Sequence, residues 1–317
     1  MTNKKKKRPA SRSSGYRDPK PAPQPERRRG LLDSVFAPKA PASATMPRIR
    51  TALARGVVTV IGSPALVIGT IAFVFVFWLV LVAAGYQGPL APLANLLALP
   101  PVGTSLDASL ATSLFGLQGG LYGILVFLVV RAVILGLATA AIVQALDQGH
   151  VTTGSLRVGI KAFPVTLSVC IIGVGILTAA SIAGPLLGPG IGILLQVGGL
   201  VIGTAFFVFA PAIAVSEGRS MPDCLARSVR AARMPGAGNL TLAALYVVPA
   251  VAVIVAPGKP GNVIGVNPTI SAWGFAILVN VLHLALLAAF AFRYLSVAHE
   301  VPDAPVKKAR PATRGRR

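Results

Sequence analysis

Long apolar runs separated by short polar connections dominate the pattern of this chain. Residues 56–106, 162–216 and 260–292 contain no charged side chain. A bilayer core about 30 Å thick needs roughly 20 apolar residues at 1.5 Å per helical residue. Six segments meet or approach that length, namely 64–84, 121–145, 164–183, 191–215, 240–256 and 271–292. Their hydrophobicity lacks the alternation of barrel strands, so the pattern predicts an all-α polytopic membrane helix bundle with six transmembrane helices.

The basic residues of the connections predict how the six spans are oriented. Connections 85–120 and 184–190 contain no Lys or Arg, and connection 257–270 contains only Lys259. The alternate connections and both tails are basic, which places them and both termini in the cytoplasm by the positive-inside rule. Tyr86, Tyr122 and Trp273 then lie at the outer interface and Tyr294 at the inner one.

The two basic connections resemble each other and predict short amphipathic helices at the cytoplasmic surface, which we call elbow helices. From Gly149 and from Gly218, matching residues follow at offsets of seven, eleven, twelve and thirteen: Leu156, Ile160, Lys161 and Ala162, then Leu225, Val229, Arg230 and Ala231. A third elbow helix is expected over 46–55. Ser220, with Asp223 three residues later, predicts a capping box. The chain then reads as three units, each an elbow helix followed by a transmembrane hairpin. The same pattern also arises wherever a basic chain leaves the inner leaflet.

Composition places the charge at the two ends of the chain. Charged residues make up 12% of the 317 residues and the net charge is +21, with 15 of the 30 basic residues before Gly56. Residues 1–45 and 300–317 therefore read as disordered basic cytoplasmic tails around a membrane domain over 46–299. Nucleic acid is an unlikely partner because no recognition module accompanies the charge. Cys170 and Cys224 form no CxxC motif, which gives no support for redox or metal chemistry.

Arg131 is the charged residue that lies well inside a predicted span. It sits about ten residues into the second span, where a charge costs about 2.5–3.5 kcal/mol. The predicted spans contain no Asp or Glu, and Asp147 lies sixteen residues away at the end of the same helix. Arg131 therefore snorkels, donates to backbone carbonyls or amide side chains, or meets an anion. Packing and ligand or pore roles both remain open.

Three further polar residues in the spans complete a candidate intramembrane site with Arg131. Asn280 and His283 are three residues apart in the last span and share a helix face, and Gln196 lies in the fourth span. Interhelical hydrogen bonds explain them more simply than a metal or proton site, which usually recruits carboxylates or several histidines.

Basic residues of the elbow helices are the second candidate site, one that faces lipid head groups. The candidates are Arg157, Lys161, Arg227, Arg230 and Arg233. The sequence contains no HExxH, GxSxG or P-loop motif, so we expect neither an enzyme nor a cofactor or metal site.

The region from Phe206 to Leu240 carries a family resemblance. An apolar span ends in Phe209-Ala-Pro-Ala-Ile-Ala-Val215, followed by Glu217-Gly-Arg-Ser220, the basic run Leu225-Ala-Arg-Ser-Val-Arg230, and Asn239 at the next span. This resembles bacterial six-span proteins related to the membrane domain of glycerophosphoryl diester phosphodiesterases. The resemblance implies a stand-alone membrane module without the phosphodiesterase domain, and it carries over no catalytic residue.

We therefore expect a non-enzymatic module of a bacterial cytoplasmic membrane that acts through lipid or protein partners, or a homo-oligomer. Anionic head groups at the cytoplasmic face are the expected lipid partners. The alternative is a transporter or channel in which Arg131, Gln196, Asn280 and His283 line a path for a small anionic or polar solute. The two functions separate on whether these four residues converge on a common cavity.

Overall fold

A computed structural model describes residues 45–85, 91–100, 102–236, 238–255 and 270–302. The predictions about the basic tails, Tyr86 and Lys259 fall outside these residues, apart from residue 45 of the first tail and residues 300–302 of the second. The described part of the chain is helical and contains no β-strand.

Eleven α-helices and one 3-10 turn make up the described residues. They are α1 (Ile49–Gly62), α2 (Pro64–Ala83), α3 (Ala91–Ala94), α4 (Val102–Gln148), α5 (Gly154–Lys161), α6 (Phe163–Leu187), α7 (Pro189–Phe207), α8 (Ala210–Glu217), α9 (Met221–Ala232), α10 (Asn239–Val255), α11 (Ile270–Leu295) and the 3-10 turn Ala298–Glu300.

Five stretches in the described residues are long and apolar enough to cross a membrane. They are Pro64–Ala83, Tyr122–Gln148, Phe163–Gly184, Gly190–Glu217 and Trp273–Leu295, of 20 to 28 residues each. At 1.5 Å per residue even the shortest covers about the 30 Å of a bilayer core. The protein is therefore a multi-pass membrane protein. Helix α10 has 17 residues and falls just below the length of the other five.

Proline residues set several of the helix boundaries. Pro64 lies in the first turn of α2, directly after the break from α1 at Ser63. Pro211 lies in the first turn of α8 and has no N–H to donate to the preceding turn. The predicted fourth span, 191–215, is therefore two helices, α7 and α8, separated by a turn at Val208 and Phe209.

The connection expected over 85–120 differs from the structure. Helix α4 begins at Val102 and continues for 47 residues, so its first five turns precede the predicted span. The absence of Lys and Arg indicated on which side of the membrane this connection lies, but it carried no information about its secondary structure. Glycines at 116, 119 and 120 cost about 0.5–1 kcal/mol each in a helix, which the rest of α4 offsets.

Three shorter helices each pack against one or two longer helices of the bundle. Helix α1 packs on α11, α5 on α4, and α9 on α7 and α8. A Cβ atom at Gly56 of α1 would come within 2.3 Å of the Ala285 carbonyl oxygen of α11, so only glycine permits this approach. Gly159 of α5 likewise faces Gly136 of α4, because a Cβ at Gly136 would lie 2.6 Å from the Gly159 carbonyl oxygen.

Candidate functional site

A largely non-helical segment lies inside the helix bundle and is surrounded by buried polar side chains. Residues 93–100, called here the inserted segment, comprise the last two residues of α3 and the non-helical residues that follow, and they are buried along their whole length. Main-chain N–H and C=O groups that are buried away from helices need other hydrogen-bond partners. The side chains that supply these partners come from α4, α7, α10 and α11.

Arg131 of α4 donates to two carbonyl groups of the inserted segment. Its Nη1 donates to the Asn95 oxygen at 3.1 Å and also to the Leu96 oxygen. The side chain is only 3% exposed, and its guanidinium lies against Gly103, where a Cβ atom would come within 2.9 Å of Cζ. Of the roles left open by the sequence, the structure shows hydrogen bonding to backbone carbonyls.

Asn280 of α11 binds the same segment from a second helix. Its Oδ1 accepts from the Leu97 N–H at 2.9 Å, and its Nδ2 donates to the Leu93 oxygen at 2.9 Å and to the Ala276 oxygen at 2.8 Å. The amide therefore satisfies one donor and one acceptor of the inserted segment. Both hydrogen bonds join residues more than 180 positions apart in sequence, so Asn280 links the last helix to the inserted segment.

Tyr246 and Thr204 hold the end of the inserted segment. The Leu99 N–H donates to the Tyr246 hydroxyl at 2.7 Å, and Thr204 Oγ1 donates to the Pro100 oxygen at 3.2 Å. The His283 ring packs edge-on against Tyr246 at 5.2 Å between ring centroids. Among the described residues His283 Nδ1 has no hydrogen-bond partner.

Three of the four predicted intramembrane residues thus come together, and the fourth does not. Arg131 and Asn280 bind the inserted segment, and His283 packs on Tyr246, which binds it too. Gln196 of α7 lies apart from them. Its Nε2 donates to Ser181 Oγ of α6 at 3.5 Å. Tyr246 and Thr204 were not predicted, because a single Tyr or Thr in an apolar run gives no sequence signal of its partner.

The cleft found beside this region is apolar. It is too narrow to hold a water molecule and is lined by Pro100 and by residues of α6 and α7 such as Ile176 and Phe207. None of the four predicted residues lines it. In the described part of the chain no cluster of His, Cys, Asp or Glu has the arrangement of a metal site.

A second polar network joins the end of α8 to α9 and to the turn after α11. Arg227 is 4% exposed; its Nε donates to Glu217 Oε1 at 3.2 Å and to the Tyr294 hydroxyl at 2.9 Å. Its other nitrogens donate to the carbonyl oxygens of Val301, at 2.8 Å, and Ala298. The Tyr294 hydroxyl donates to Glu217.

This network corrects two predictions. Arg227 does not face lipid head groups, because its guanidinium is buried and donates to Glu217 and to main-chain oxygens after α11. Tyr294 is fully buried in the same network and therefore does not belong to an interfacial aromatic belt. Glu217 explains both results, since a partly buried carboxylate attracts the nearest cation and hydroxyl donor.

The other four predicted head-group residues lie nearer the surface. Arg157 and Lys161 of α5 and Arg233 after α9 are exposed, and Arg230 is half-buried. The Arg233 guanidinium also lies over the Phe206 ring at 5.8 Å from its centroid.

The start of α9 differs from the predicted capping box. Ser220 Oγ donates to Asp223 Oδ2 at 2.5 Å and makes no cap bond to a backbone N–H. Pro222, which has no N–H, occupies the first turn. Cys224 of the same helix is buried and donates to the Arg219 oxygen at 3.5 Å. Burial, and then the nearby Glu217 and Asp223 charges, raise the pKa of the Cys224 thiol to about 11.

Comparison of the chain with protein-family models, with curated proteins and with solved structures finds no match. Functional inference therefore rests on the geometry of the described residues. Two features carry it: the polar groups that hold the inserted segment, and the exposed basic residues of α5 and its neighbours.

Proposed function

We propose that this chain is a non-enzymatic six-span module of a bacterial cytoplasmic membrane, with both termini cytoplasmic, which binds anionic lipid head groups through its elbow helices. Helix α10, whose 17 described residues carry no charge, supplies the sixth span. Helices α1, α5 and α9 are the three elbow helices. The family resemblance of the region 206–240 agrees with a stand-alone module.

The orientation of α5 is the observation that carries this proposal. Gly159 is the buried residue of α5 and packs on α4. Leu156 and Ile160, four residues apart, are 55% and 57% exposed. Because the apolar side of this helix points away from the protein, lipid is the partner that buries it.

Arg157 and Lys161 follow Leu156 and Ile160 by one residue each, so they form a parallel exposed stripe. An apolar stripe beside a basic stripe is the arrangement of a helix that lies in the membrane interface. Each basic side chain near an anionic leaflet contributes about 1 kcal/mol, so the two together contribute about 2 kcal/mol at low salt.

Helix α1 extends the same kind of surface. Arg50 and Arg55 are exposed near its start, and Val57, Val58 and Ile61 are exposed toward its end. A helix that is basic first and apolar later fits a chain that passes from the head-group region into the hydrocarbon region. Arg230 and Arg233 supply the basic groups of the third elbow helix.

Lipid retained by the purified protein tests this proposal. The double variant Arg157→Gln/Lys161→Gln should lose about half or more of the anionic lipid adducts seen by native mass spectrometry from phosphatidylglycerol-containing nanodiscs. Lys259→Gln, which removes a charge from the connection predicted to lie outside, is the control and should retain them. Equal adducts in all three proteins would contradict the proposal.

Labelling of introduced cysteines tests the orientation. Leu187→Cys and Thr153→Cys place thiols at exposed positions on either side of α6. A membrane-impermeant maleimide should label the first in intact cells and the second only after permeabilisation. The opposite order would reverse the topology, and labelling of both in intact cells would remove the six-span proposal.

The competing function is a transporter or channel for a small anionic or polar solute. The observation that favours it is the convergence of Arg131, Asn280 and His283 around the inserted segment, since broken helices near the midplane often bind solutes. Against it, Arg131 and Asn280 bind main-chain groups, and neither lines the apolar cleft. Chloride or phosphate flux into wild-type proteoliposomes that disappears in Arg131→Lys, at unchanged expression and Tm, would support the transporter and displace the module.

A further inference from the structure

Gln196 is the predicted intramembrane residue that lies apart from the inserted segment. It belongs to α7 and follows Gly190, where an apolar stretch long enough to cross a membrane begins, by six residues. At 1.5 Å per residue this places it about 9 Å along the helix, within a hydrocarbon core about 30 Å thick. Helical hydrogen bonds satisfy the main chain at this depth, but the side-chain amide needs partners of its own.

The amide of Gln196 is poorly satisfied within the chain. Its Nε2 donates to Ser181 Oγ at 3.5 Å, which is long for a hydrogen bond. Its Oε1 accepts no hydrogen bond from the residues that the structure describes, and the side chain is only half-buried. Asn280 carries the same kind of amide and makes three hydrogen bonds of 2.8–2.9 Å inside the bundle. The fold therefore satisfies one membrane amide internally and leaves the other with an unused acceptor and an unused donor hydrogen.

Gln196 lies on an outer surface of the helix bundle. The stretches Phe163–Gly184 and Gly190–Glu217 bury a smaller share of their residues than Tyr122–Gln148 does. Ile193, one helical turn before Gln196, is 63% exposed. In a multi-pass membrane protein such a surface faces hydrocarbon, which offers neither a hydrogen-bond donor nor an acceptor.

Ser181 adds a second polar group to this surface. It is exposed on α6, and within the described part of the chain its hydroxyl accepts from Gln196 and donates to no acceptor. Gly175 and Thr178 of the same helix are also exposed, and a Cβ atom at Gly175 would meet nothing within 4 Å. The surface thus combines unused polar groups with room for the close approach of another helix.

The chemistry of the amide indicates what covers it. Polar side chains inside a membrane find their hydrogen-bond partners on other helices, because acyl chains cannot supply them. A glutamine amide carries both a donor and an acceptor, so it is complementary to a second glutamine amide. A second copy of this chain brings such an amide to the same place without any further requirement.

We propose that this chain forms a homodimer through the outer surface of α6 and α7, with Gln196 of both copies at its centre. Nε2 of each Gln196 donates to Oε1 of the other copy. A two-fold axis between the two amides makes both hydrogen bonds equivalent and closes the assembly at two copies. This surface lies in the hydrocarbon region, so the dimer is separate from the lipid-binding surface of α5 and does not depend on it.

Association of the full-length protein in liposomes gives the first test. Copies that carry donor and acceptor dyes should show energy transfer that rises with the protein-to-lipid ratio in vesicles of phosphatidylcholine and phosphatidylglycerol. Gln196→Leu should raise the dissociation constant of the dimer at least about tenfold, because it removes two interhelical hydrogen bonds. Since Gln196 lies on the surface and leucine suits hydrocarbon, this variant should fold as the wild type does.

Gln144→Leu is the matched control for the loss of a glutamine. Gln144 binds Gln148 and Thr152 within its own chain, at the end of α4. Its removal should leave the dissociation constant of the dimer unchanged.

Cross-linking of introduced cysteines tests the position of the interface. In a background of Cys170→Ala and Cys224→Ala, Ile193→Cys should form a disulfide-linked dimer when membranes are treated with copper phenanthroline, because position 193 lies one turn from the two-fold axis. Adding Gln196→Leu should reduce this product. Ile68→Cys, on the lipid-facing side of α2 and with Ile68 64% exposed, is the control and should remain monomeric.

Three outcomes would overturn the dimer. Absence of energy transfer at every protein-to-lipid ratio would leave Gln196 facing lipid. A dissociation constant that Gln196→Leu leaves unchanged would place the interface elsewhere. Cross-linking of Ile193→Cys to a different protein, and not to itself, would assign this surface to another partner. The double variant Arg157→Gln/Lys161→Gln should keep the energy transfer, so failure of the dimer and failure of the proposed function are distinguishable.

Discussion

Arg131 and Arg227 are both buried, and each needs hydrogen-bond acceptors for its guanidinium. The acceptors differ between the two. Arg131 lies within a membrane-spanning helix and donates to carbonyl oxygens of the inserted segment. Arg227 lies in α9, between spans, and combines the Glu217 carboxylate with a tyrosine hydroxyl and main-chain carbonyls. The difference lies in the partners found for each: Arg131 binds main-chain oxygens of the inserted segment, and Arg227 binds a carboxylate together with main-chain oxygens.

Hydrogen bonds with four side chains explain how the inserted segment can lie inside the bundle. Its N–H and C=O groups cannot reach water, and they bind Arg131, Asn280, Tyr246 and Thr204 instead. The cation and the segment therefore depend on each other. In the Arg227 network the carboxylate remains a partner for several donors, so removing one donor leaves others in place.

Loss of the Arg131 side chain should have the largest effect. Arg131→Leu leaves two carbonyl groups of the inserted segment buried without their donor, which we expect to destabilise the protein by about 3–4 kcal/mol. The measurement is Tm in detergent at matched expression, with Arg131→Lys as a variant that keeps the charge and loses less. A Tm equal to or above that of the wild type would show that the guanidinium contributes nothing to holding the segment.

Removal of the Glu217 charge should have a smaller effect. Glu217→Gln removes the charge from the carboxylate partner of Arg227, and we expect a loss of about 2 kcal/mol because the Tyr294 hydroxyl and two main-chain carbonyl oxygens still accept from the guanidinium. Asp223→Asn removes an exposed carboxylate from the same region and serves as the control, with an expected change below about 0.5 kcal/mol. Similar losses in both variants would contradict the specific pairing of Glu217 with Arg227.

The Cys224 thiol should give the smallest effect, visible only in alkali. Its pKa is raised from 9.0 to about 11, so the unfolded chain releases this proton at a lower pH than the folded one. Stability is therefore full below pH 9 and falls between pH 9 and 11. Cys224→Ala should remove this part of the pH dependence. An identical alkaline slope in the wild type and in Cys224→Ala would contradict the prediction.

The sequence predicted the spans well where the run of apolar residues alone decides the element. The first span was predicted at 64–84 and α2 is Pro64–Ala83; the third was predicted at 164–183 and α6 is Phe163–Leu187. Lipid leaves the backbone of such a run few alternatives to a helix. For 85–120 the sequence predicted only a connection without Lys or Arg. The helix that begins at Val102 was missed, because the absence of basic residues carries no information about secondary structure.

The sequence identified three residues of the candidate site, but it did not identify the groups that they contact. A charge at mid-span and polar residues on one face of the last helix identified Arg131, Asn280 and His283. Their partners, which lie 35 to 187 residues away in sequence, could not be identified from spacing. Arg227 shows the opposite case, since its position in an amphipathic helix indicated a lipid-facing side chain until Glu217 and the turn after α11 were found beside it.

The sequence by itself determined that this protein crosses a membrane several times and where most of its helices lie, because hydrophobic length is a local property. Tertiary structure decided which arginines are buried, which carbonyl groups they bind, and that residues 93–100 enter the bundle. Those outcomes depend on which acceptors lie within about 3 Å of a donor. Residues far apart in sequence reach that distance only once the helices have packed together.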